Sequence, residues 1–517
     1  MNKSSFLAAH LYLNKQTSSE APAVTDEKTN VVTLSLLKNI AAKCTYLNLV
    51  AAVLFLAISL FFSVSAELAT MCGILAILVA LFPAIYALQK KKLVLLFSGI
   101  SVFNIAPIWF LYLESILPGY DAYTYIQPAN RVLAFFWIAI FQFLVNFVYV
   151  LFWNRGHKYS IRSFSFLKFI RLKPVFYIRM TFVVFVVPLI FFYFFYGSAS
   201  VLWTAMTAGR LEGSSGLLIR DSVGSSSSFM LPLTWIWQLT PIFGCIAFIS
   251  SSKRNKFLAT VSLLLGLIVI FVFFLSGSRG TMIFVAAPAL FFFFYYNWHR
   301  GFKFWLLASF LLIILIGIME VQVRFRGNLL DVIADPERAA RLQGLKSATT
   351  FDPTQSQRDN NMYLFCLMVK TYPDKYAYEG FNDFFAVLVN PIPRSVWPGK
   401  PILNGAKDLT NQSSFVLSGP LTMGTTSLSF SIVGDAYKTA GLFGLLAYAI
   451  VYGLFLLFFD GIIYYARKKD PLSVGILGMA LFLAFWGYRA FFALVSFLYP
   501  VILLLIFLRL LKTFRTK

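Results

Sequence analysis

The sequence predicts an all-α, polytopic membrane protein with about 12 transmembrane helices. Of its 517 residues, 59% are hydrophobic and 13% are charged, whereas a soluble globular protein carries about 25% charged residues. Apolar runs of about 20 residues recur from end to end, and each is long enough to cross the hydrocarbon core as a helix. Basic residues are concentrated in alternate connections between these runs, which is the pattern of a chain that crosses a membrane repeatedly.

The apolar runs place nine spans before one long polar segment and three spans after it. The predicted spans are residues 45–65, 67–88, 93–113, 131–153, 180–199, 229–250, 256–275, 281–297, 304–321, 440–459, 473–487 and 490–511. The corresponding parts of the chain are an N-terminal segment (1–43), spans 1–9 (44–321), the long polar segment (322–438), spans 10–12 (439–511) and a short tail (512–517). The last two spans must turn near residues 486–489.

The charge of the chain is explained by topology. There are 44 Lys+Arg against 21 Asp+Glu, a formal net charge of +23. With the N-terminus inside, basic stretches such as 90–92, 155–179 and 467–469 all fall on the cytoplasmic side, where Lys and Arg are enriched. A nucleic-acid partner is therefore not expected. Both termini are predicted to be cytoplasmic and residues 322–438 periplasmic, and the basic, aromatic stretch 154–179 is expected to lie along the anionic leaflet.

The long polar segment contains the stretch Asn390-Pro-Ile-Pro-Arg-Ser-Val-Trp-Pro-Gly-Lys-Pro401. Four prolines in twelve residues exclude a helix interior, because proline lacks the N–H and clashes with the preceding turn. A stiff, irregular backbone therefore presents Arg394, Trp397 and Lys400. Short helices are expected elsewhere in the segment, at residues 331–346, 358–371 and 380–390.

Four other arginines near the predicted outer face could bind phosphate. Arg279 precedes an apolar run expected to be helical, so its charge would add to the free N–H groups of a helix N-terminus. Arg324 and Arg326 directly follow a span, whereas Arg489 lies between two apolar runs, where a charge is costly unless it pairs or lines a cavity. The structural alternatives are a tight turn with a snorkelling side chain for Arg279 and interfacial anchoring for the pair.

A general base at the outer face would have to be a carboxylate, because all three histidines fall on the predicted inner side. Asp435 differs from the other acids because it lies just before the span at 440–459, at the membrane surface. Partial desolvation there raises a carboxyl pKa towards a value useful for a base. The alternative is an acid that complements the dipole of a helix N-terminus. No Asp-x-Asp occurs in the outer segments, so neither a metal site nor another cofactor is expected.

Three motifs lie at the predicted outer face: Ser276-Gly-Ser-Arg-Gly280, the Pro-Arg-x-x-Trp-x-x-Lys-Pro block at 393–401, and Gly434-Asp-Ala-Tyr437 followed by Gly441-Leu-Phe-Gly444. Together they resemble motifs of the bacterial oligosaccharide repeat-unit polymerases, the Wzy-type polymerases of O-antigen and enterobacterial common antigen. Position 435 departs from the family, which more often has Glu there. The resemblance implies a GT-C-like, metal-independent glycosyltransferase of the bacterial inner membrane.

The resemblance also implies a reaction and roles for particular residues. A growing glycan would pass from its undecaprenyl diphosphate to the non-reducing end of a new lipid-linked repeat unit on the periplasmic face. Asp435 would deprotonate the acceptor hydroxyl, while Arg394 and Arg279 would hold the diphosphate. The expected substrate-binding residues are Arg324, Arg326, Trp397, Lys400, Tyr437 and Arg489. A flippase, a chain-length regulator and membrane lipid would be the partners.

Three other functions stay open on the sequence. An O-antigen ligase would share the layout of spans, but these enzymes resemble one another around an outer-face histidine, which is absent here. A flippase or other transporter predicts short loops and polar residues at mid-membrane depth, whereas the polarity of this chain is concentrated in one outer segment. The third alternative is a non-enzymatic assembly or chain-length partner.

Overall fold

All regular secondary structure in the described residues is helical. The computed structural model describes residues 23–116, 126–168, 172–207, 230–275, 279–297, 361–389, 397–401, 430–466 and 470–515, with the isolated positions 306, 310, 317, 335 and 392. The helices are α1 (Ala23–Phe61), α2 (Ala66–Ala80), α3 (Phe82–Gln89), α4 (Gly99–Ile116), α5 (Pro128–Leu151), α6 (Trp153–Ser163), α7 (Pro174–Tyr196), α8 (Ala199–Thr207), α9 (Met230–Trp237), α10 (Thr240–Ser250), α11 (Lys256–Leu275), α12 (Arg279–Asn297), α13 (Asn361–Thr371), α14 (Asn382–Val389), α15 (Ser431–Ala440), α16 (Leu442–Asp460), α17 (Pro471–Trp486) and α18 (Phe491–Arg515).

The helices form a multi-pass membrane protein, as predicted. Within the described part of the chain, eight helical stretches are long and apolar enough to cross a membrane. A ninth is added if α2 and α3, which are bent by 40° at their junction, form one span. The apolar stretches Met282–Asn297 of α12 and Pro471–Trp486 of α17 are shorter. The predicted span at 304–321 lies outside the described residues except for three isolated positions, so the number 12 stays a prediction.

The first helix begins earlier than expected. Helix α1 starts at Ala23, inside the segment that was predicted to precede the membrane part. Leu37, Ile40 and Cys44 are buried in the core, and their spacing places them on one face of the helix. Lys43 is exposed beside this face, with its ammonium 4.9 Å from the centre of the Tyr86 ring.

Contacts between helix ends show that neighbouring spans run in opposite directions. At one end of the bundle, Asp460 in α16 accepts hydrogen bonds from the Ile100 N–H of α4 (3.3 Å) and the Tyr149 hydroxyl of α5 (2.9 Å). At the other end, Arg131 near the start of α5 donates to the carbonyl of Ser115 in the last turn of α4 (3.3 Å). Helices α4 and α5 are therefore antiparallel, as successive crossings of a membrane require.

The long polar segment contributes a buried helix to the bundle. Helices α13 and α14 correspond to the short helices predicted at 358–371 and 380–390, but α13 does not lie on the surface. Phe365 and Cys366 are fully buried, and the Glu114 carboxylate of α4 accepts the N–H groups of Met362 and Tyr363, both at 3.0 Å. A carboxylate at a helix N-terminus is stabilising, so α4 fixes this helix. The helix predicted at 331–346 lies outside the described residues except for position 335.

Candidate active site around Asp435

Helix α15 carries the candidate base and ends in a sharp break. Its last residue is followed by Gly441, whose φ of 57° lies in the left-handed region, where glycine is favoured. A Cβ at this position would lie 2.6 Å from the Tyr378 hydroxyl, and a Cβ at Gly444 would lie 2.0 Å from the Ala436 carbonyl oxygen. The Gly441-Leu-Phe-Gly444 motif thus allows α16 to pack closely against α15.

Asp435 lies half-buried in the middle of α15. Its Oδ2 accepts the backbone N–H of Phe491 at 3.1 Å, at the start of α18. Burial raises the pKa of Asp435 to about 6, although Lys438 and the Phe491 N–H oppose the rise while Asp383 and Glu379 add to it. The direction of this shift agrees with the expectation from the sequence, and the role of Asp435 as a base stays a prediction. The structural alternative was an acid that complements the dipole of a helix N-terminus. Asp435 does contact such an N-terminus, but it is that of α18.

Lys438 links α15 to the segment that follows α13. Its ammonium lies 2.9 Å from Glu379 Oε2 and 3.5 Å from Asp383 Oδ2, and its side chain is only 5% exposed. The Lys438 carbonyl accepts the Glu379 N–H (3.0 Å), and the Thr439 carbonyl accepts the Gly380 N–H (2.9 Å). We call Lys438, Asp435, Glu379 and Asp383 the Lys438 cluster.

Tyrosines surround the Lys438 cluster. The Tyr372 hydroxyl donates to Glu379 Oε1 at 3.2 Å, and the Tyr437 hydroxyl donates to the Tyr372 carbonyl at 3.3 Å. Tyr437 was predicted to bind substrate, but it is buried and packs against Trp137, with 5.1 Å between the ring centres. Its hydrogen bond and burial give it a packing role in this structure, one that supports the Tyr372–Glu379 contact.

The turn between α17 and α18 completes the site. It occurs at residues 487–490, as the sequence predicts. The Tyr488 carbonyl accepts the Ile432 N–H at 3.0 Å, which ties this turn to the start of α15. The guanidinium of Arg489 lies 5.2 Å from the centre of the Trp486 ring, an arrangement that stabilises a cation. Arg489 is thus brought to the same end of α15 as the Phe491 N–H that contacts Asp435.

The proline-rich stretch is described only at position 392 and at 397–401. Lys400, predicted to bind substrate, is largely buried, and its ammonium donates to the Ile392 carbonyl at 3.0 Å. This contact joins two described positions of the stretch, and the predicted substrate contact of Lys400 stays a prediction. Trp397 is 42% exposed, and its ring is therefore accessible to a ligand.

Of the remaining arginines predicted to bind phosphate or substrate, only Arg279 lies among the described residues. Helix α12 begins at Arg279, which agrees with the prediction that this residue lies at a helix N-terminus. Arg394, Arg324 and Arg326 lie outside the described residues, so their predicted roles stay predictions.

Sequence reasoning missed Lys438 as a member of the site. One signal was present, because residues three apart on a helix face the same side, as Asp435 and Lys438 do. Glu379 gave no such signal, because it lies in the non-helical stretch before α14, whereas Asp383 lies in the first turn of that helix. The pairing between these two stretches could not be seen, since 59 residues separate Lys438 from Glu379.

In the described part of the chain, no group of three or more His, Cys, Asp or Glu side chains is placed to hold a metal ion. The four cysteines, Cys44, Cys72, Cys245 and Cys366, are all free and buried. Comparison of the chain with protein-family models, with curated proteins and with solved structures gave no match.

Proposed function

We propose that this protein is a membrane glycosyltransferase that polymerises undecaprenyl-diphosphate-linked oligosaccharide repeat units into O-antigen or a related surface polysaccharide. The observation that carries this proposal is Asp435. It is a carboxylate in the short helix that precedes a span, and its pKa, raised by burial to about 6, suits a general base near neutral pH. The proposal includes about 12 spans, a GT-C-like fold, and a site on the periplasmic face of the bacterial inner membrane.

Asp435 would act on the acceptor. Its carboxylate removes the proton from a sugar hydroxyl at the non-reducing end of a new lipid-linked repeat unit. The hydroxyl oxygen then bonds to the anomeric carbon of the growing glycan, and the bond from that carbon to undecaprenyl diphosphate breaks. The proton stays on Asp435 until it passes to water, and the diphosphate departs with the bonding electrons.

Arginines would stabilise the departing diphosphate. Charge develops on its oxygens as the bond breaks, and preorganised cationic donors lower the energy of that state. Arg394 lies in the stiff proline-rich stretch, and Arg279 begins helix α12, whose N-terminal N–H groups favour an anion. The proposed reaction is metal-independent because the outer segments lack an Asp-x-Asp. Arg324, Arg326 and Arg489 are the further candidates for contacts with the lipid-linked substrates.

The accessible part of the site suits a glycan. Trp397 is exposed and could stack on a sugar ring, since aromatic faces bind the apolar faces of planar or ring-shaped ligands. Glu379 and Asp383 keep 24% and 18% of their side-chain surface exposed, so their oxygens could accept hydroxyl hydrogen bonds. A flippase that supplies repeat units, a chain-length regulator and membrane lipid would be the partners.

The decisive experiment is a deletion strain whose lipid-linked and surface glycans are measured by mass spectrometry. A polymerase predicts surface glycan with a single repeat unit, and restoration of polymer by the wild-type gene. Loss of all surface glycan would instead indicate a flippase. Polymer that stays on undecaprenyl diphosphate would indicate a ligase, and either of these outcomes would overturn the proposal.

A further inference from the structure

The Lys438 cluster contains one ammonium and three carboxylates that come from two separate parts of the chain. Lys438 and Asp435 lie on adjacent turns of α15, whereas Asp383 lies in the first turn of α14 and Glu379 in the stretch just before it. Among the described residues, the Lys438 ammonium lies between the two parts, at 2.9 Å from Glu379 and 3.5 Å from Asp383. The position of this ammonium therefore affects how far the negative charges of Glu379 and Asp383 raise the pKa of Asp435.

We propose that Lys438 is a positioning residue, which draws the carboxylates of Glu379 and Asp383 to its ammonium and thereby keeps Asp435 in the ionised form that accepts a proton. This rests on the proposed role of Asp435 as the base. With all three acids ionised, one positive charge faces three negative charges. Without the ammonium, the repulsion among them would favour a proton on one of the acids.

The electrostatics of both groups agree with this arrangement. Burial alone would lower the pKa of Lys438, but attraction to Asp435, Glu379 and Asp383 outweighs it, and the pKa is raised. The ammonium therefore stays charged at the pH at which Asp435 titrates. Tyr448 of α16 also interacts with Asp435, and Arg489 lies in the turn just before Phe491.

The backbone makes this inference testable without unfolding the site. Hydrogen bonds from the N–H groups of Glu379 and Gly380 to the carbonyls of Lys438 and Thr439 hold the two segments together. These bonds do not use the lysine side chain. Lys438→Met, which keeps the length of the chain and removes the charge, should therefore leave the segments in contact.

The test is a pH titration of Asp435 by infrared difference spectroscopy on the purified full-length protein. The carboxylic acid band that is absent from Asp435→Asn reports the protonation of this residue and does not depend on activity. In Lys438→Met the titration midpoint should rise by about one pH unit or more, because a unit positive charge about one helical turn away is lost. Lys438→Arg should restore the midpoint, and Lys375→Met, which removes an exposed lysine of the same region, should not change it.

Glu379→Gln should shift the titration midpoint of Asp435 in the opposite direction. It removes a negative charge that raises the pKa of Asp435, so the midpoint should fall. A generally loosened site would not move the midpoint in opposite directions in these two variants. An unchanged midpoint in Lys438→Met, or a shift of the same sign in both variants, would overturn the inference.

A pH–rate profile of glycan transfer separates this inference from the proposed function. If Asp435 is the base, the acidic limb of the profile should move with the infrared midpoint in each variant. If the infrared midpoint moves and the rate profile does not, Lys438 still controls the charge of Asp435, but Asp435 is not the base.

Discussion

Asp435→Asn should produce a protein that is inactive and yet more stable than the wild type at neutral pH. Asparagine has nearly the shape of aspartate, and its side-chain oxygen can still accept the Phe491 N–H. It cannot take a proton from a sugar hydroxyl, so transfer should fall by about 10²-fold or more. Loss of activity together with a gain in stability would separate a catalytic role from a structural one.

The size of the stability gain follows from the pKa of Asp435. Its value rises from 3.8 to about 6 in the folded protein, mainly through burial, and one pKa unit corresponds to about 1.4 kcal/mol. The folded state therefore binds the proton more tightly than the unfolded state. Stability is fully retained below pH 4 and falls as the pH rises towards 6. Above pH 6 the ionised carboxylate costs about 3 kcal/mol, which asparagine avoids.

Thermal unfolding in detergent, followed by tryptophan fluorescence between pH 4.5 and 8, measures this effect. The variant should unfold at a higher temperature than the wild type at pH 8, and the difference should shrink towards pH 4.5. Asp374→Asn serves as the control, because it removes an exposed carboxylate from the same region and should give no pH-dependent difference.

One result would refute this reasoning. If Asp435→Asn unfolded at a lower temperature than the wild type at both ends of the pH range, the ionised carboxylate would be a net stabilising cap of α18. Loss of glycan transfer would then be explained by damage to the fold, and Asp435 would no longer be supported as the base.

Three further predictions concern the backbone, the arginines and the topology. Gly441→Ala should destabilise the protein by more than Gly380→Ala, because both glycines have a positive φ but only Gly441 would clash with Tyr378; equal unfolding temperatures would contradict this. Arg279→Ala and Arg394→Ala should each slow transfer by about 10²–10³-fold at unchanged membrane levels, and Lys should restore activity only in part, since it lacks the bidentate fork. A cysteine at position 375 should react with an impermeant reagent from the periplasm, and one at 158 should not; the reverse would invert the predicted topology.

The sequence predicted those features that depend on local pattern. Apolar length located the helices, the break in apolarity located the turn at 486–489, and the place of Asp435 before a span predicted its raised pKa. The start of α1 was missed because charged residues interrupt the apolar run before residue 45, so apolar length alone did not reach it. The burial of α13 was missed for a different reason: it depends on the carboxylate of Glu114, which lies 248 residues before Met362. Contacts over such separations leave no periodic signal in one sequence.

The hydrogen bond from Phe491 to Asp435 makes the last span sensitive to the chemistry. While Asp435 is ionised, its contact with the first N–H of α18 is charge-assisted, and it becomes a weaker, neutral contact when the carboxylate takes a proton. On the proposed mechanism this happens once in every transfer. The attachment of α18 to α15 would therefore loosen after bond formation and tighten again when the proton leaves.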